Sequence, residues 1–133
     1  KAAVMPDPLG GLAVQQGAKI ILDDASQPLL GASVISFRKE TLDQHPEAVR
    51  AFLAAIEEAV GLINSDPAKY SDLLVEKKIV PQPLAGKYVT PKFPTKGVPS
   101  EAEWNDVLAW ARAKGLLNAD VAYKDSVNAS FLP

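Results

Sequence analysis

"GAKIILDDASQPLLGASVISF", residues 17–37, is the stretch on which the fold class turns. Its apolar run "KIIL" at 19–22 is hemmed in by Gly17 and by Asp23-Asp24. So short a run between breakers has strand length and falls short of a buried helix. At 32–37 "ASVISF" alternates. Val34 and Ser36 fall on one side, Ser33, Ile35 and Phe37 on the other, as a pleated strand requires. Two strands set among helices predict an α/β fold. A sheet of two short strands is marginal in water, so the expected sheet is incomplete in this chain and takes its remaining partners from elsewhere.

The residues ahead of the first strand raise a chemical question. In "VMPDPLGGLAVQQ", residues 4–16, an acid sits between two prolines and is followed by Gly10-Gly11. Pro8 suits a first helical turn and Gly17 a left-handed stop, which predicts a short helix over 8–16. A helix start carries free N–H groups and a partial positive charge, so it attracts anions. Gly10 and Gly11 have no Cβ and admit a ligand close to the backbone. Asp7, fixed by Pro6 and Pro8, suits a donor or a cation. The plain alternative is that Asp7 caps the helix. The two ligand cues point to opposite charges.

Behind the strands, "HPEAVRAFLAAIEEAVGLINSD" (45–66) predicts a long helix opening at Pro46, with Glu47 complementing its dipole. Val49, Phe52, Leu53, Ile56, Val60 and Ile63 recur at helical spacing. Their burial is expected to give on the order of 10 kcal/mol of gross apolar stabilisation. Asp66-Pro67 restarts a helix, with Tyr70, Leu73 and Leu74 on its apolar side. Prolines 81, 83, 91, 94 and 99 mark an extended connector. Ser100 and Glu103 spell a capping box, followed by Trp104, Val107, Leu108 and Ala111 as a core stripe that ends at Gly115.

Composition narrows the function. The chain has 133 residues, a net charge of −2, no cysteine and one histidine. It is 47% hydrophobic and 23% charged, as a globular domain is. Without clustered Lys and Arg no nucleic acid is expected as a partner. Without cysteine there is no disulfide framework or thiolate metal site. A start at Lys1 predicts a processed or truncated chain, from which any export signal would already be missing. His45 has no neighbouring ligand or base partner, so a cap or surface role is expected. Glu57-Glu58 and Glu101/Glu103 are expected on solvated faces, and Trp110 against a second side of its helix. No P-loop, dinucleotide fingerprint, nucleophile elbow or zinc-protease motif occurs. Asn128-Ala129-Ser130 matches a glycosylation sequon.

The order of segments carries a resemblance. "MPDPLGGLAVQQGAKIILDD", the long "HPEAVRAFLAAIEEAVGLINSDP" helix and the closing "YKDSVNASFLP" resemble the C-terminal half of bacterial periplasmic solute-binding proteins of ABC importers. The closest group binds taurine, aliphatic sulfonates, nitrate and thiamine-pyrimidine precursors. Asp7 stands where that group often has Glu between prolines, and His45 where it usually has Asn. Ile63, Asn64 and Pro67 match its helix ending.

The resemblance implies part of a type 2 periplasmic-binding lobe. Residues 1–30 would supply the cleft-side turn, helix and strand, and 31–133 a hinge-side strand and a helical C-terminal part. It implies a periplasmic or lipid-anchored protein without catalytic, metal or cofactor groups. Such a protein catches a small-molecule solute between two lobes, and its closed state is recognised by an ABC permease. The ligand-binding candidates are Pro6, Asp7, Pro8, Leu9, Gly10 and Gly11, with Ser36 and Arg38 at the end of the hinge-side strand. Two alternatives remain. One is an enzyme like the fungal thiamine-pyrimidine synthases of this fold, which need a histidine and iron. The other is a non-binding fragment that self-associates through an unpaired sheet edge.

Overall fold

The computed structural model describes residues 1–24 and 33–133. Among these residues every regular element is helical and no strand is present. The expected α/β lobe with short strands is therefore corrected to an all-helical arrangement. At 19–22 the chain runs irregularly, with Ile20, Ile21 and Leu22 exposed by 69, 87 and 76%. Among the described residues no backbone pairs with this run, and an apolar run becomes a strand only where a partner takes up its N–H and C=O groups. Of the second expected strand, Ala32 lies outside the described residues, as does the 30/31 boundary. Residues 33–37 are irregular too. There Phe37 packs edge-on against Phe52 of a helix, with ring centroids 5.9 Å apart at 84°. The alternation that reads as a pleat presents this anchor to a helix instead.

The chain divides into two compact units. The first comprises Lys1–Asp23 and Glu58–Phe93, the second Asp24–Glu57 and Pro94–Pro133. In the first unit, α1 (Leu9–Gln15) follows Pro8, and α4 (Ser71–Glu76) follows a 3₁₀ turn at Pro67–Tyr70. Asp66 caps that turn as expected, its carboxylate accepting from the Lys69 N–H at 3.3 Å. A second 3₁₀ turn, Gln82–Leu84, sits inside the proline-rich stretch. It gives the unit its centre, since Val80 and Leu84 are 3 and 4% exposed. Leu84 lies on Gly11 of α1, its methyls 3.7 and 3.8 Å from the place a Cβ would occupy. Asn64 braces the end of the same stretch. It donates to the Phe93 carbonyl (2.8 Å) and accepts from the Phe93 N–H (3.0 Å).

In the second unit, α2 (Lys39–Gln44) and the early turns of α3 (Pro46–Ser65) precede α5 (Glu101–Ala113) and α6 (Tyr123–Ser126). Helix α3 opens at Pro46 as the sequence predicts. Its apolar stripe is much less buried than its periodicity suggests. Only Val49 is buried, while Phe52 is 47% exposed. Glu57, expected in solvent, is half-buried and accepts from the Lys96 N–H at 2.6 Å.

The capping box of α5 is formed in full. Ser100 donates to Glu103 through its N–H and its hydroxyl, both at 2.7 Å, and accepts from the Glu103 N–H at 3.2 Å. Trp104 is half-buried, its indole N–H reaching the Val121 carbonyl at 3.4 Å. The Tyr123 hydroxyl donates to the Pro99 carbonyl at 2.7 Å and fixes α6 beside α5. Trp110, expected against a second side, is 57% exposed.

Helices α1, α4 and α5 share one ending. The residue after the cap has positive φ, at Gly17 (94°), Lys78 (58°) and Gly115 (68°). In each, its N–H and the next one turn back onto carbonyls of the last turn. The pairs are Gly17–Val14 with Ala18–Ala13, Lys78–Val75 with Ile79–Leu74, and Gly115–Arg112 with Leu116–Ala111. This double bond pattern is the Schellman stop.

Leu84→Ala is expected to cost about 2–3 kcal/mol in denaturant unfolding, the lower part of the usual range because so open a core can relax around the gap. Acid is expected to loosen the second unit through Glu103. The two bonds from Ser100 hold the Glu103 carboxyl below its usual pKa. That contribution is present above the ordinary glutamate value, about 4.3, and is lost as pH falls through the lowered one. Thermal unfolding of Glu103→Gln followed against pH should show a flatter acid limb than the parent chain.

Candidate functional site

The turn before α1 is built by its prolines and by two backbone bonds. Pro6 and Pro8 each fix their φ, and the Asp7–Pro8 peptide bond is cis. The Gly10 N–H donates to the Pro6 carbonyl at 3.1 Å, and the Leu12 N–H to the Pro8 carbonyl at 3.2 Å. Pro8, not Asp7, occupies the N-cap position, and it has no side-chain cap bond. The reading of Asp7 as a helix cap is therefore set aside. Its carboxylate lies back over the first turn, with Oδ1 3.3 Å from the position a Cβ on Gly10 would take. A Cβ at position 10 would crowd this oxygen and would meet the Met5 carbonyl at ordinary contact distance, 3.7 Å.

Residue by residue, Pro6, Asp7 and Leu9 are exposed, while Pro8, Gly10 and Gly11 are half-buried. All six belong to the first unit. Ser36 and Arg38 are exposed and belong to the second unit, outside the one that holds the turn. Arg38 is the N-cap residue of α2, with extended backbone and no side-chain cap bond. His45 is the C-cap of α2, and its N–H donates to Thr41 at 2.9 Å.

The structure adds a residue that the sequence hid. Gly11 seats Leu84, and the Tyr88 N–H donates to the Leu84 carbonyl at 3.0 Å. These contacts join the backbone around Tyr88 to the residue that packs on α1. The half-buried phenol is pushed above its ordinary pKa of about 10, first by burial and second by the negative charge of Asp7. Tyr88 is distant from Asp7 in sequence and lies in a stretch that its prolines mark as connector, so periodicity offers no signal for it. Among the described residues no hydrogen bond or ion pair engages the Asp7 carboxylate. An exposed carboxylate can accept hydrogen bonds and pair with a cation.

Other concave features are shallow. A depression of about 350 Å³ lies between the start of α3 and residues 131–133, lined by Glu47, Arg50, Ala51, Ala54 and Phe131 among others. Its guanidinium is already engaged. Arg50 donates to the Ser130 carbonyl and lies 5.0 Å from the centre of the Phe131 ring. Asn128 is exposed and accepts from the Ser130 N–H at 2.9 Å, so the sequon residue caps a 3₁₀ turn at Ala129–Phe131. Among the described residues no group of three or more His, Asp or Glu side chains is placed to hold a metal ion. No helix among them is long and apolar enough to cross a membrane.

Asp7→Asn should lower the apparent pKa of Tyr88 without returning it to the ordinary value, because burial persists when the charge goes. Ultraviolet titration of phenolate, with Tyr88→Phe to identify its share, checks this. Comparison with protein-family models, with curated proteins and with solved structures finds no match for this chain.

Proposed function

We propose that this chain is the solute-binding component of an ABC-type importer, presenting a small polar or charged solute to a membrane permease and doing no chemistry of its own. It would work in the periplasm, or lipid-anchored outside the cytoplasmic membrane. The observation that carries the reading is the Asp7 carboxylate. Prolines on both sides hold it, it faces solvent, and no partner in the described residues neutralises it. Holding a charge in one conformation without a partner gives up side-chain freedom and returns no stability. A solute that arrives at the turn would return it.

The order of sequence segments supports the same reading. The proline-bracketed acid, the long helix opening at Pro46, the Asn64-to-Pro67 ending and the closing "SFLP" stand in the importer-protein order. The sheet that this resemblance implies is absent from the described residues, so the reading rests on the turn and on that order.

The test is a thermal-shift screen of the intact chain against sulfonates, nitrate, pyrimidines and polyamines. At a hundred times its dissociation constant, a binder stabilises the protein by about 2.7 kcal/mol. Calorimetric titration of the hit is then repeated with Asp7→Ala and Gly10→Val. Loss of affinity by about ten-fold or more in either variant supports the turn as the site. Unchanged affinity in both removes it, and a screen without any concentration-dependent shift removes the binding function.

A further inference from the structure

The apolar run after α1 is left without cover. Residues 17–24 are all exposed, and Ile20, Ile21 and Leu22 keep 69, 87 and 76% of their surface. Among the described residues no backbone hydrogen bond engages the N–H or C=O groups of 19–22. Single apolar residues at a surface are ordinary, but three in a row on open backbone offer a template for strand pairing. The run contains no proline, so each of its N–H groups can donate to a ladder.

The flanking charges say which strand fits. Lys19 precedes the three apolar residues and Asp23 follows them, so Ile21 stands midway between opposite charges. Two copies laid antiparallel about Ile21 set Lys19 of each opposite Asp23 of the other. Ile20 then falls opposite Leu22, and Ile21 opposite its own copy. Directly opposed residues are the pairs that stabilise a ladder, opposite charges among them, whereas opposed like charges destabilise it. A parallel in-register pair would set lysine on lysine and aspartate on aspartate. An antiparallel slip of one residue would set a charge against an apolar side chain, Asp23 against Ile20 or Lys19 against Leu22. Lys19 forms no ion pair among the described residues. Asp23 keeps an interaction within its own chain, and a carboxylate, with about four acceptor positions, can take a lysine as well.

We propose that residues 19–23 are a self-recognition segment through which two copies of this chain pair antiparallel about a two-fold axis at Ile21. The contact is isologous, as closed dimers require. The run bends at Ile21 in the single chain, so pairing must draw it out, and a ribbon of two short strands is marginal. The dimer is therefore weak and reversible, forming at roughly 0.1–1 mM chain. It stands independently of the solute-binding reading.

The experiment is equilibrium sedimentation of the full chain and of charge variants up to about 1 mM. Lys19→Glu opposes two acids at each end of the pair, and Asp23→Lys opposes two lysines. Each should weaken self-association about five- to thirty-fold. Mixed in equal amounts, the two variants oppose an acid to a lysine at both ends, so the mixture should associate as the parent does. A general loss of structure in either variant would not be restored by mixing, and circular dichroism melting checks the fold of each. Register is read by oxidative cross-linking, since the chain has no cysteine of its own. Only position 21 meets itself, so Ile21→Cys should form disulfide dimers at least several-fold faster than Ile20→Cys. Val107→Cys, at an exposed position on α5, sets the collisional background. A chain that stays monomeric to about 1 mM overturns the proposal. Association undiminished in Lys19→Glu and Asp23→Lys overturns it too, as does a mixture that fails to recover. If Asp23→Lys does not fold, the cysteine comparison decides, and cross-linking at 21 no faster than at 20 and 107 overturns the register.

Discussion

One contact organises the first unit, the seating of the Leu84 side chain on Gly11. It requires that position 11 have no Cβ, since the leucine methyls already lie at van der Waals distance from where one would be. It also requires that the chain make a tight turn immediately after Pro81, which the 3₁₀ turn Gln82–Leu84 supplies. Because Leu84 and Val80 are the buried apolar residues of that unit, the contact joins α1 to the proline-rich stretch with little redundancy. Tyr88 follows Leu84 by one turn, bonded to its carbonyl. The neighbourhood of Asp7 is thus set by packing well behind it. A glycine that reads as ligand access in the sequence serves in the structure as a seat for a leucine.

Helix ends were legible and helix burial was not. Pro46, the Ser100–Glu103 box, the Asp66 cap and the Gly17 and Gly115 stops act within a few residues, and each forms as its local chemistry dictates. The stripe of α3 depends on what packs against it, and sequence spacing does not specify that. Phe52 therefore finds one aromatic neighbour and keeps nearly half its surface in water. The "KIIL" run failed for the same reason. Strand formation is a property of a pair, and residues 19–22 have no pair among the described residues. At the candidate site, the turn could be read from its prolines, whereas the seating of Leu84 on Gly11 could not, because it joins residues far apart in sequence.

Charge in this chain is mostly used locally. Lys39 pairs with Asp43 at 2.9 Å, Lys77 with Glu76 at 2.8 Å and Arg112 with Asp120 at 2.7 Å, all at the surface. Such pairs contribute from nothing to about 1 kcal/mol each. The charges with more structural effect bond backbone instead. Glu57 holds the Lys96 N–H, Glu103 holds its own helix start, and Arg50 secures the Ser130 carbonyl with its guanidinium over the Phe131 ring. Asp7 belongs to neither group: among the described residues its carboxylate makes no hydrogen bond or ion pair.

The repeated Schellman stop has a bearing on robustness. Three helices end by the same pair of reversed bonds, and at α4 the left-handed residue is Lys78 in place of glycine. A lysine there stores roughly 1–2 kcal/mol of backbone strain, which the pair of closing bonds must hold. The chain thus marks its helix boundaries with self-contained clasps that owe little to distant contacts. A protein with so few buried side chains can keep the register of its helices even while its interior rearranges, and motion in it would be carried by the joints between helices.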